Sequence, residues 1–150
     1  MMNRQTILRH ADTPVALRAC YAVMKQLRPH LQSEDEFIER VTRQTADGYR
    51  LFAAWDGDEA VALAGYRLQE NLVYGKFLYV DDLVTAEQAR GREYAARLLD
   101  ALTTVAEEAG CVLFALDTAL SNALAQRFYF RQGLLTGAIR FSKPVTPKAA

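Results

Sequence analysis

No run in this chain reaches the roughly 20 consecutive apolar residues of a membrane-spanning helix. The opening segment, MMNRQTILRHAD, lacks the apolar centre of a secretory signal. Cysteine is scarce, with Cys20 inside a helical pattern and Cys111 at the head of a strand pattern. Two such thiols fit a reducing cytoplasm better than a disulfide framework or a metal site. Net charge is zero, which argues against a general nucleic-acid binder. Neither the glycine-rich run with Lys-Ser/Thr of a P-loop nor the G-x-G-x-x-G of a dinucleotide fold is present. The chain also has no internal repeat, low-complexity tract or linker. These absences together describe a cytoplasmic protein without membrane, nucleic-acid or metal partners.

What is present suits one folded domain. Its 150 residues are 51% hydrophobic and 24% charged, enough to bury a core without disulfides or metals. A domain over residues 1–145 is expected, with a frayed tail over 146–150. Ile7-Leu8-Arg9 reads as a short strand, and Asp12-Thr13-Pro14 opens a helix reaching about Leu27. Ser33-x-x-Glu36 is a capping box for a second helix ending near Gly48. Tyr49–Trp55 and Ala60–Leu68 form strands around the hairpin turn Asp56-Gly57-Asp58-Glu59, and Lys76–Val84 follows as a third strand. A helix from about Arg92 to Ala109 stops at Gly110 and leads into a strand over Cys111–Asp117. Ser121-Asn122 then caps a helix reaching Gly133, and Leu135–Ser142 reads as a last strand. The order β-α-α-β-β-β-α-β-α-β implies an α/β (α+β) fold. Its sheet is mixed and mostly antiparallel, with helices on both faces and a splayed central parallel pair made by the crossover after residue 85.

Charge is unevenly placed. Residues 31–59 carry eight acidic side chains against three arginines, whereas no acidic residue follows Asp117. Either this is ordinary surface charge, or the N-terminal half receives a cationic ligand and the C-terminal half an anionic one.

The link Arg90-Gly91-Arg92-Glu93-Tyr94-Ala95 joins a strand to a helix at a sheet end, where ligands tend to bind. Amides at such a helix start favour a phosphate. Glu93 reads two ways, as an intruder in an anion cradle or as a first-turn acid complementing the helix dipole. A non-glycine residue there could take helical angles while its amide still donates.

YVDDLVTAEQARGREYAARLLDAL together with NALAQRFYFRQGL resembles the GNAT acetyltransferase superfamily. Arg90 and Ala95 match the ends of its Gln/Arg-x-x-Gly-x-Gly/Ala motif, with Glu93 replacing the central glycine. Ala125, Phe128, Tyr129 and Gly133 complete its Ala-x-x-Phe-Tyr-x-x-x-Gly signature. LRPHL (27–31), GYRL (48–51), AGYR (64–67) and YVDDLVT (79–85) extend the likeness over nearly the whole chain.

The resemblance implies acetyl-coenzyme A as co-substrate and acyl transfer to a primary amine by direct attack in a ternary complex. Main-chain groups at Leu83 and Val84, on a strand that splays from its neighbour, would meet the pantetheine. Arg90, Gly91, Arg92, Glu93, Tyr94 and Ala95 would surround the pyrophosphate, and Asn122 and Phe128 would touch the cofactor. Tyr129 matches the residue that protonates the departing sulfur. Asp81, Asp82 and Glu70 are the candidate bases. The two aspartates are adjacent on a strand, so strict alternation would let only one face the acceptor. His30 and Arg67 are candidate acceptor contacts. The acceptor class is a small-molecule or peptide amine, and a homodimer is compatible with the sequence. A non-catalytic acyl-coenzyme A sensor is the alternative function, and Glu93 is the feature that favours it.

Overall fold

Local capping chemistry decides where the helices begin. In the computed structural model, which describes residues 5–149, the Thr13 hydroxyl accepts the Ala16 amide at 3.1 Å and Pro14 opens α1 (Pro14–Leu27). Ser33 does the same for α2 (Glu34–Thr45), accepting the Glu36 amide at 3.0 Å. The Glu36 carboxylate reaches back to the amide of Gln32 rather than that of Ser33, closing the capping box one residue early. Residue 1 and Ala150, the outer limits of the expected domain and tail, lie outside the described residues.

The described residues divide into a unit ending at Asp117 and a second unit from Thr118. The first unit holds a five-stranded sheet in the order β1 (Thr6–His10), β2 (Arg50–Asp56), β3 (Glu59–Asn71), β4 (Gly75–Thr85) and β5 (Leu113–Leu116). The first three pairings are antiparallel and the β4–β5 pairing is parallel, joined by α3 (Tyr94–Glu108). Residues 51–55 of β2 and 60–66 of β3 are buried without alternation. That pattern requires cover on both faces of the sheet, supplied by α1 and α3. Alanines at 53, 54, 62 and 64 have no exposed surface, so the helices pack close to the strands. Cys20 of α1 and Leu98 and Leu102 of α3 are fully buried in this core.

Two register shifts interrupt the sheet, between Ala54 and Trp55 and between Gly65 and Tyr66. At the second, Gly65 opposes Asp82 and Tyr66 opposes Val80, which leaves Asp81 as an extra residue in β4.

Several boundaries differ from the sequence reading. A 3₁₀ turn, Glu87–Ala89, precedes α3, and α3 starts at Tyr94 rather than Arg92. β5 is shorter than Cys111–Asp117 because the Cys111 amide is held by the Ala106 carbonyl at the end of α3. In the second unit, α4 (Ala123–Arg131) forms, but the expected strand at Leu135–Ser142 does not. Its apolar side chains have the right period, yet a strand needs a ladder partner and Gly137 weakens the run.

Gly65 is a packing requirement. A Cβ there would overlap the Tyr49 hydroxyl, which donates to Asp82 Oδ2 at 2.8 Å. Gly65→Ala is expected to destabilise the fold by about 1–3 kcal/mol, the usual range for overpacking a core. Urea denaturation compared with the parent checks this, and an unchanged midpoint would show that Tyr49 can move aside freely.

Candidate active site

The parallel ladder between β4 and β5 ends at Val80 opposite Leu116. On its other edge β4 stays paired with β3 as far as Thr85 opposite Ala62. Residues 81–85, including Leu83 and Val84, are therefore paired on one edge only, since the parallel ladder does not continue beside them. The chain then turns: the Ala86 amide bonds the Val61 carbonyl at 2.8 Å, Arg90 is extended and Gly91 has φ +83°.

Glu93 follows as the N-cap of α3, with φ +62° and ψ +22°. It is the one non-glycine residue in the left-handed region among the described residues. The helical angles allowed for by the sequence reading are not what it adopts; it keeps the conformation natural to the glycine it replaces. Its side chain is exposed and makes no capping hydrogen bond, while its carbonyl accepts the Arg97 amide at 3.1 Å. The amides of Tyr94, Ala95 and Ala96 precede that first intrahelical bond, so they are available at the positive end of the helix. Arg90, Gly91 and Arg92 are exposed around them. The Tyr94 ring is buried, and its hydroxyl accepts from Thr6 Oγ1 at 3.4 Å, so this residue offers its amide rather than its side chain.

Below the bulge lies a cavity of about 320 Å³. Its apolar wall is Met24, Leu31, Phe37 and Val41, from α1, α2 and the loop between them. Asp81 and Asp82 both line it, contrary to the alternation argument, because the extra residue at 81 breaks the two-residue period. Asp82 is fully engaged: Arg28 binds Oδ1 through Nε at 2.9 Å and through a terminal nitrogen at 2.8 Å, and Tyr49 binds Oδ2. Arg28 also donates to the Asp81 carbonyl at 2.9 Å. The Asp81 carboxylate meets only Arg67 Nε, at 3.2 Å, among the described residues. Burial pushes the Asp81 carboxyl above its ordinary range, and the Arg67 guanidinium offsets part of that rise. Arg67 is itself steadied by Gln44 at 3.1 Å and lies over the Tyr49 ring.

His30 lies on the cavity rim. Glu70 does not line the cavity; it lies on β3 opposite Lys76 of β4, near the turn of the β3–β4 hairpin. None of the eight acidic residues of 31–59 lines it either. Glu34 and Asp35 are tied to Arg18, and Glu36 and Glu39 approach Arg40 and Arg43, so half of the acidic stretch is engaged in local pairs. Arg28 and Tyr49 were not singled out as site residues from the sequence. Their only signal was position, directly before Pro29 and within GYRL.

In the second unit Asn122 caps α4, its Oδ1 accepting the Ala125 amide at 3.1 Å. Phe128 and Tyr129 lie ring to ring at 5.6 Å, and burial raises the Tyr129 hydroxyl above its ordinary pKa.

Residues 17–134 match the family described as Acetyltransferase (GNAT) family. An uncharacterised N-acetyltransferase of Bacillus subtilis (strain 168), YhdJ, is 30% identical over 126 residues, which span 83% of this chain and 89% of that protein. A transcriptional regulator from Bacillus halodurans C-125 superposes with a TM-score of 0.83 at 19% identity, covering 94% of this chain and 100% of the other. AAC(6')-Iy, solved with the bisubstrate analogue CoA-S-monomethyl-acetylneamine, gives 0.80 at 19% identity, covering 95% and 99%.

The left-handed Glu93 costs about 1–2 kcal/mol in backbone strain, whereas glycine adds about 0.5–1 kcal/mol of unfolded-chain entropy. Glu93→Gly is therefore expected to raise stability by up to about 1 kcal/mol in urea titration. A clear loss would mean that the carboxylate stabilises the helix start by more than its backbone costs.

Proposed function

This chain belongs to the GNAT acetyltransferase family, and we propose that it transfers an acetyl group from acetyl-coenzyme A to a primary amine by direct attack in a ternary complex. The observation that carries this reading is the edge of β4 left unpaired after Val80 opposite Leu116, placed one short turn before the open amides of α3. The coenzyme A analogue bound to the structurally similar AAC(6')-Iy supports it. The family match over 17–134 covers most of both units, which supports one acetyltransferase domain over 1–145.

Acetyl-coenzyme A supplies the activated acyl group. The amides from Arg92 to Ala95 receive its pyrophosphate, with Arg90 and Arg92 adding positive charge and the Glu93 side chain turned to solvent. The free edge of β4 receives the pantetheine. The Ala86–Val61 bond turns the main-chain groups of residues 84 and 86 toward β3, so the Leu83 amide, rather than that of Val84, faces that edge and polarises the thioester carbonyl. Asn122 and Phe128 complete the cofactor contacts from α4. Asp81 takes a proton from the substrate ammonium, since it has a carboxylate oxygen to spare and a raised pKa. The free amine then attacks the thioester carbon, and the nitrogen gives up a second proton to solvent as the tetrahedral intermediate collapses to the amide. Asp82, closed by Arg28 and Tyr49, holds the bulge in place. Tyr129 gives its proton to the sulfur as the C–S bond breaks; a phenol carries that proton at neutral pH. The buried Cys20 thiol, pushed up to about 12, is no nucleophile, which agrees with direct transfer. Free Cys20 and Cys111 suit a reducing, cytoplasmic setting.

Calorimetry with acetyl-coenzyme A and thiol release across an amine panel test the proposal together. Binding without turnover would favour the acyl-coenzyme A sensor, and absence of binding would overturn both readings. Tyr129→Phe keeps the ring and removes the proton, so kcat should fall by roughly 10- to 1000-fold with little change in coenzyme A affinity. An unchanged kcat under rate-limiting chemistry would remove Tyr129 from the reaction.

The pH profile addresses Asp81. A base must be ionised, so kcat/KM should rise with pH through an acidic limb above the usual aspartate value of about 3.9. Asp81→Asn should abolish that limb along with most of the rate. A limb that persists in Asp81→Asn belongs to another group.

A further inference from the structure

The cavity beside the bulge carries both signs of charge, and most of its polar groups satisfy one another. Asp82, Arg28 and Tyr49 form a closed set, and the Gln44 side-chain oxygen is taken by Arg67. Two charged groups on the lining remain open to a ligand. One is the Asp81 carboxylate, with Arg67 as its single side-chain partner among the described residues. The other is Arg40 of α2, whose nearest charged neighbour is Glu36, with Nε 3.8 Å from Oε1. That distance is too long for a hydrogen bond, and the other oxygen of Glu36 is engaged by the Gln32 amide at 3.0 Å. The Arg40 side chain is 43% exposed, and no hydrogen bond holds its guanidinium among the described residues. His30 adds a second nitrogen donor on the same cavity.

We propose that the acceptor is a small amine that also carries an anionic group, a carboxylate in its simplest form. The ammonium lies at Asp81, and the anion is received by the Arg40 guanidinium with His30 beside it. Guanidinium presents two parallel N–H groups that match a carboxylate or phosphate, a geometry unsuited to a second ammonium. A polyamine would place its far cation against Arg40 and Arg28, and a large polycationic sugar would find no acidic wall. A cavity of about 320 Å³ also sets a small size, near that of an amino acid or the end of a peptide. The proposal rests on the acetyl-transfer reading for the direction in which the amine points, but not for the existence of the two-ended receptor.

The test uses matched acceptors: an amino acid, its decarboxylated amine, its methyl ester and the corresponding aminoalkyl phosphate. kcat/KM for the amino acid or the phosphate should exceed that of the decarboxylated amine by about tenfold or more, the scale of one charge-assisted hydrogen bond. Comparing the carboxylate with the phosphate identifies the anion. Arg40→Gln should collapse this ratio toward one, chiefly through KM, and Arg40→Lys should restore part of it. Decarboxylated amines that are equal or better acceptors would overturn the proposal, as would an unchanged ratio in Arg40→Gln. Calorimetry of the same four ligands with coenzyme A present keeps the two readings apart. Selective binding of the anionic amines without turnover would support the receptor while acetyl transfer fails. No preference in binding or in turnover would overturn the receptor.

Discussion

Between Gly65 and Tyr66, β3 advances one residue while β4 advances two, and the difference is Asp81. An antiparallel ladder cannot absorb that mismatch without bending the longer strand and increasing its twist. The bend coincides with the point where β4 leaves β5, immediately after Val80. It also turns two consecutive aspartates toward one cavity. The distortion is held by side chains that the local sequence does not pair. Arg28 reaches from the end of α1 to Asp82 and the Asp81 carbonyl, Tyr49 rises from the start of β2, and Gly65 vacates the space for its hydroxyl. The cavity wall and the orientation of the open carboxylate both depend on this one inserted residue.

The second departure from regular structure sits at the start of α3. A glycine would adopt the left-handed turn there without steric cost, yet the position holds glutamate. The backbone is kept and the strain accepted, so the following amides still point outward at the helix end. The side chain stands in solvent, where water screens its charge from any anion at those amides. Substitution at this position thus alters local electrostatics and stability more than geometry. The amide cradle is set by the turn and by α3, whose buried Tyr94, Leu98 and Leu102 anchor the helix on the sheet.

The parts legible in the sequence were those specified by short-range chemistry. Thr13-Pro14 and Ser33 marked their helix starts because capping involves neighbours only. The β2–β3 hairpin and the parallel β4–β5 pair followed from turn residues and a crossover. The bulge left no such mark: two adjacent aspartates look the same in a regular strand and in an interrupted one. Period-two reasoning therefore placed them on opposite faces, and the same blindness hid Arg28 and Tyr49, whose partners lie 54 and 33 residues away in sequence. Apolar alternation at 135–142 failed for the converse reason, since alternation describes a face while a strand also needs an edge to join.

Charge counting says nothing of position, for a related cause. Eight acidic residues within 31–59 suggest a negative field, but charge acts over distances comparable with a Debye length of about 8–10 Å in ordinary salt. Within that range Glu34, Asp35 and Glu39 already face arginines, and Glu34, Asp35 and Glu36 lie in the first turn of α2, where the helix dipole attracts them. Those charges are offset locally, whereas Asp47, Asp56, Asp58 and Glu59 have no ion pair among the described residues and none of the eight lines the cavity. The groups left to discriminate among acceptors are those on the cavity wall itself, where burial weakens screening and each contact counts for more. On the proposed acceptor reading, an ammonium at Asp81 meets an arginine already beside it, and whatever the amine carries next encounters Arg40. Selectivity would then be a short-range matter, decided by what the far end of the acceptor offers to a guanidinium.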